Sequence, residues 1–132
     1  MKEEVESWLR YARENLESAR VLLAAELFNP CLQNLQQGIE KYLKAVLLQR
    51  ADILIKTHSI TSLRHLLAEN GVDIDLSEDE CALFDSIYLP SKYPLAGVLP
   101  DFVADAGLCQ ECLRLAEIVA LDVEQELGKQ ST

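Results

Sequence analysis

NPCLQNLQQGIEKYLKAVLLQR, residues 29–50, decides the fold. Leu32, Leu35, Ile39, Tyr42, Leu43, Val46 and Leu47 recur at steps of three and four, which places them on one stripe of an α-helix. Asn29-Pro30 predicts where that helix starts, because Asn can cap it and Pro tolerates the first helical position without its missing amide. The stripe carries the helix to about Arg50. Upstream, Val5, Trp8, Leu9, Ala12, Leu16, Ala19, Leu22 and Leu23 draw a second stripe across residues 3–27. Glu4, Glu6, Arg10, Arg13, Glu14 and Glu17 fall largely off it. So short a turn between two helices forces them into an antiparallel hairpin.

Downstream the same period continues. A linker after Arg50 leads to Thr57-His58-Ser59, whose hydroxyls can cap a third helix carrying Ile60, Leu63, Leu66 and Leu67. Asn70-Gly71 closes it, glycine being free to take the left-handed conformation. Ser77-Glu78-Asp79-Glu80 is a capping box that opens a short fourth helix to about Leu89, burying Cys81, Phe84 and Ile87 or Tyr88. Pro90, Pro94 and Pro100 then predict a loop over residues 89–100, packed by Tyr93 and Leu95. The last helix starts between Asp101 and Asp105 and runs to Leu127, with Gly128 as its stop and residues 129–132 frayed. Its inner face is Leu108, Cys109, Cys112, Leu115, Ala116, Val119, Val123 and Leu127. No segment alternates apolar and polar residues. The reading is all-α: an up-down bundle of four to five antiparallel helices in a single domain, residues 1–132.

The 132 residues include 22 acids against 12 Lys plus Arg, a formal net charge of −10. That balance argues against a broad nucleic-acid-binding face. No apolar run reaches the roughly 18 residues of a membrane span, and Met1-Lys2-Glu3-Glu4 is too acidic and polar to open a signal peptide. The expectation is a cytoplasmic protein with no membrane contact. Cys31, Cys81, Cys109 and Cys112 then read as buried thiols. Cys109-x-x-Cys112 falls inside an apolar stripe and has no second pair at comparable spacing, so no metal is expected.

Chemistry has few candidates. His58 and His65 are the only imidazoles. His65, beside Arg64 and off the third stripe, reads as solvated. His58, where the third helix starts, reads as a structural anchor before a catalyst, since no nucleophile shares a motif with it. Gln36, Gln37, Glu40, Lys41 and Lys44 form the densest polar group on the second helix, and Gln37, Glu40, Lys41 and Lys44 share one side. The plain reading is a solvated face with an ion pair between Glu40 and Lys44. The functional one is a patch that meets a partner helix or an anionic ligand. The chain has no Gly-rich phosphate loop, HExxH or paired-Asp metal signature, and no cofactor is expected.

Three stretches in register resemble the HEPN (higher eukaryotes and prokaryotes nucleotide-binding) domains. The run from Gln37 through Glu40, Lys41 and Lys44 to Ala45 looks like the family's second-helix motif. Thr57-His58-Ser59-Ile60 with Leu63 matches its Thr-His segment, and Tyr88 followed by Lys92-Tyr93-Pro94 resembles its Tyr, then Arg-Tyr-Pro. Trp8, Ala12 and Ala19 agree with its first helix. The resemblance implies a small prokaryotic helical bundle, similar to the C-terminal domain of kanamycin nucleotidyltransferase, that forms a homodimer. It also implies partnership with a minimal nucleotidyltransferase in a toxin–antitoxin-like pair, and nucleotide binding. Many members cleave RNA without metal through an Arg, four to six residues, then His. Here seven residues separate Arg50 from His58, and Arg64 adjoins His65, so neither pair fits. Lys92 in place of Arg gives up a bidentate anion fork. The expectation is a non-catalytic dimer, not an enzyme, contacting nucleotide or partner through Gln37, Glu40, Lys41, Lys44, Thr57, His58, Lys92 and Tyr93. The alternatives are a ribonuclease toxin using His58 and a purely structural dimerisation module.

Overall fold

The computed structural model describes residues 2–92 and 103–129, with only the backbone of residues 89–92. Five helices follow in order: α1 (Glu3–Ala24), α2 (Phe28–Ala51), α3 (Ile60–Glu69), α4 (Glu78–Lys92) and α5 (Ala106–Gly128). No strand occurs among the described residues, and no helix there is long and apolar enough to cross a membrane. The all-α bundle is as expected.

The central element is α2, which packs against each of the other four helices. Every residue of its predicted stripe is buried. Its closest neighbour is α1, and Gly38 explains why: a Cβ there would stand 2.6 Å from Leu16 Cδ1 and 3.3 Å from Asn15 Cβ. Ion pairs between α1 and α5, Arg13 with Glu124 and Arg20 with Glu117, lie over a groove floored by Leu16 and Tyr42.

Helix ends test the local reading most sharply. The Ser77 hydroxyl accepts from the Glu80 amide at 3.1 Å and the Glu80 carboxylate accepts from the Ser77 amide at 2.8 Å, completing the expected capping box. Ser59 caps α3 through the Ser62 amide, and Asp105 caps α5 through that of Leu108. At the end of α3, Gly71 has φ +80°, and the Val72 amide returns to the Leu67 carbonyl at 2.9 Å.

Four boundaries differ. Helix α1 stops at Ala24, not near Leu27, because Glu26 turns left-handed (φ 61°) and the Leu27 amide bonds back to the Leu22 carbonyl. Helix α2 starts at Phe28 with Leu27 as its N-cap residue, so Asn29 is no cap. Pro30 is third in the helix, where its missing amide still costs nothing. Helix α4 passes Pro90 and runs to Lys92, past the predicted end at Leu89, since a proline in the last turn forfeits one bond without ending the helix at once. Gly128 is the last residue of α5, not a left-handed stop beyond it. Tyr93, Leu95, the side chain of Lys92 and residues 130–132 lie outside the described residues.

Between α2 and α3 the burial of residues 52–58 alternates. Ile53 and Ile55 pack on the core, while Asp52, Leu54, Lys56 and His58 face out. Asp52 itself is the left-handed C-cap of α2 (φ 55°), and from Ile53 onward the alternation is the two-residue period of an extended chain.

Candidate functional site

The junction of α2, the extended segment and α4 gathers the polar residues of interest. Glu40 is its hub. Lys44, one turn along α2, donates from Nζ to Glu40 Oε2 at 2.9 Å. His58 Nδ1 lies 3.1 and 3.2 Å from the two oxygens of the same carboxylate. A carboxylate only accepts, so Nδ1 is the donor in both contacts. Gln36 Nε2 donates to Glu40 Oε1 and to the His58 carbonyl, both at 3.3 Å. Those two acceptors fix the amide orientation and leave Gln36 Oε1 buried without a partner among the described residues.

The expected solvated face is therefore wrong for Glu40 and Lys44, which are 7% and 6% exposed. Their helix packs against all four others, so the side expected to face water is covered by α1, the extended segment and α4. Trp8 contributes a ring face 5.8 Å from the Lys44 ammonium.

His58 stacks on Tyr88 of α4, ring centroids 4.8 Å apart and planes 17° off parallel. Beside them Asp85 holds the start of α3. It accepts from the Ile60 amide at 2.6 Å, the Thr61 amide at 3.3 Å and the Thr61 hydroxyl at 2.6 Å. His58, Ser59, Asp85 and Tyr88 line a shallow cleft of about 240 Å³. The α3 N-terminus that could attract an anion is already occupied by this side chain.

Three of the predicted contact residues thus converge: Glu40, Lys44 and His58. Thr57 is adjacent, its hydroxyl accepting from the Ser59 amide at 3.1 Å. Lys41 turns the other way and donates to Asn15 of α1 at 2.7 Å, with Asn15 in turn donating to Asn34 at 3.0 Å. Burial there pushes the Lys41 ammonium below the usual lysine range. Gln37 is half-buried and makes no side-chain hydrogen bond among the described residues. Lys92 and Tyr93 contribute nothing that is described. Sequence reasoning omitted Gln36 and Asp85 from the site. Gln36 carries a readable signal, sitting one turn before Glu40 on the same helix. Asp85 carries none, because its partners lie some 25 residues away in sequence.

A second histidine cluster is peripheral. Exposed His65 Nε2 lies 2.6 Å from Glu78, which also accepts from Arg64 at 2.8 Å. The four cysteines are buried and reduced, as expected. Burial pushes the Cys81 thiol up to about 11 and those of Cys109 and Cys112 up to about 12, far from thiolate chemistry. No group of three or more metal-ligating side chains occurs among the described residues.

Two solved structures share this architecture. The crystal structure of TT1696 from Thermus thermophilus is 30% identical, with a TM-score of 0.76, over 95% of this chain and 99% of that one. That of ST0689, an archaeal HEPN homologue, is 25% identical, with a TM-score of 0.63, over 96% and 98%. No curated protein matches. The family model of the HEPN domain matches residues 5–126. With that match spanning all five helices and the Glu40–His58 junction they enclose, the chain belongs to the HEPN domain family.

Proposed function

We propose that the protein is a non-catalytic HEPN dimer that works by association, as the partner of a minimal nucleotidyltransferase in a toxin–antitoxin-like pair. The supporting observation is the occupancy of Glu40, where one buried carboxylate holds both Lys44 and His58. A lysine that grips a phosphate needs uncompensated, accessible charge. Lys44 has neither. The Asp85 carboxylate in the neighbouring cleft and the net charge of −10 add repulsion toward a nucleotide or RNA.

Sedimentation of the chain alone and mixed with a minimal nucleotidyltransferase tests the reading. A dimer alone and a larger stoichiometric complex in the mixture are expected. A monomer that ignores the enzyme contradicts it. Calorimetry with ATP and GTP, using Lys44→Ala as control, tests the nucleotide arm. Heat that Lys44→Ala abolishes would make nucleotide binding at α2 the function instead.

A further inference from the structure

Tyr42 lies two residues from both Glu40 and Lys44, about 200° around α2, and so faces away from their junction with His58. It is 2% exposed and lines the groove between α1 and α5. Its hydroxyl makes no hydrogen bond among the described residues. Burial, then the Glu124 charge, raises the phenol above the usual tyrosine range, so the proton stays on and the oxygen is a donor. A buried polar group of this kind ordinarily has a partner. A molecule in the groove can supply it.

Two ion pairs frame the space. Arg13 with Glu124 and Arg20 with Glu117 cross from α1 to α5 seven residues apart, about 10 Å along a helix. Between them Leu16, Ala120 and Leu121 give apolar walls to about 370 Å³, within the range of small-molecule sites. We propose that this slot binds a small neutral aromatic molecule whose carbonyl oxygen or ring nitrogen accepts from the Tyr42 hydroxyl. Charge selects the class. Arg20 also pairs with Glu17, so three carboxylates stand around two guanidiniums, and an anion is repelled. A cation meets the phenol proton and finds no carboxylate free, since each of the three already holds an arginine. A neutral ring loses nothing on either count, and guanidinium planes stack on aromatic faces. The site does not rest on the partner reading above.

Ligand-observed NMR titration with three probes tests the site. Quinoline is neutral at neutral pH and carries one ring nitrogen, naphthalene has the same shape without an acceptor, and benzoate is an anion. Both neutral rings are expected to bind the wild type, and benzoate more weakly than either. Tyr42→Phe keeps the ring and removes the hydroxyl. It is expected to weaken quinoline about fivefold, the worth of one hydrogen bond, and to leave naphthalene unchanged. Ala120→Trp fills the slot and is expected to abolish binding of both rings. Leu121→Trp narrows the slot from a position 63% exposed, where folding is not at stake, and is expected to weaken both. Quinoline that ignores the wild type, or binds it no better than Ala120→Trp and Leu121→Trp, overturns the site. Quinoline bound equally by wild type and Tyr42→Phe, or benzoate bound tightest, overturns the class of ligand.

Discussion

Two carboxylates in this bundle each hold one histidine and one longer cation: Glu40 with His58 and Lys44, Glu78 with His65 and Arg64. Their surroundings are opposite. The Glu40 side chain is 10% exposed and joins the central helix to the extended segment that leads into α3. Glu78 is 58% exposed on the first turn of α4. Water screens the second cluster and side-chain entropy offsets what remains, so it adds little. The first is different. Removing one partner there strands the other charge in a dry site, which costs far more than the pair contributes when intact. Identical chemistry is structural in one place and incidental in the other.

The contrast can be broken by substitution. Glu40→Ala leaves Lys44 buried and unpaired, and is expected to cost about 3–5 kcal/mol in urea unfolding. Asp85→Ala frees the first amides of α3 next to the same junction, for an expected loss of about 1–2 kcal/mol. His58→Ala removes a half-exposed hydrogen bond to a carboxylate, and about 1 kcal/mol is expected. Glu78→Gln should leave the denaturation midpoint nearly unmoved. It should also remove one pH-dependent increment. The hydrogen bond from His65, then the charges of His65 and Arg64, hold the Glu78 carboxyl below the usual range. A depressed carboxyl stabilises above its unfolded value and loses that as pH falls through its folded one. The wild type should therefore weaken slightly more than Glu78→Gln in acid, as read from melting curves at pH 3–5.

What could be read in advance follows from the range of the forces involved. The α2 stripe, the Ser77–Glu80 box and the Gly71 stop rest on residues within a turn of one another, and all three are present. The turn at Glu26 has the same geometry as that at Gly71, with the amide of the residue two beyond the cap closing on the helix. A glutamate gives no sign of it, since the left-handed conformation is disfavoured for a residue with a Cβ, by about 1–2 kcal/mol. The site divides likewise. The Glu40–Lys44 spacing was legible as a helix pair, but its burial was not, because the covering elements come from α1, α4 and the extended segment. The grip of Asp85 on α3 depends wholly on tertiary contact.

The non-catalytic function proposed above requires that Glu40 hold His58 for structure and not for proton transfer. The most direct measurement pairs urea unfolding with hydrolysis of single-stranded RNA on matched samples of wild type and His58→Ala. A lower unfolding midpoint for His58→Ala and the same background hydrolysis in both are expected. An unchanged midpoint, with wild-type cleavage that disappears in His58→Ala, would contradict it.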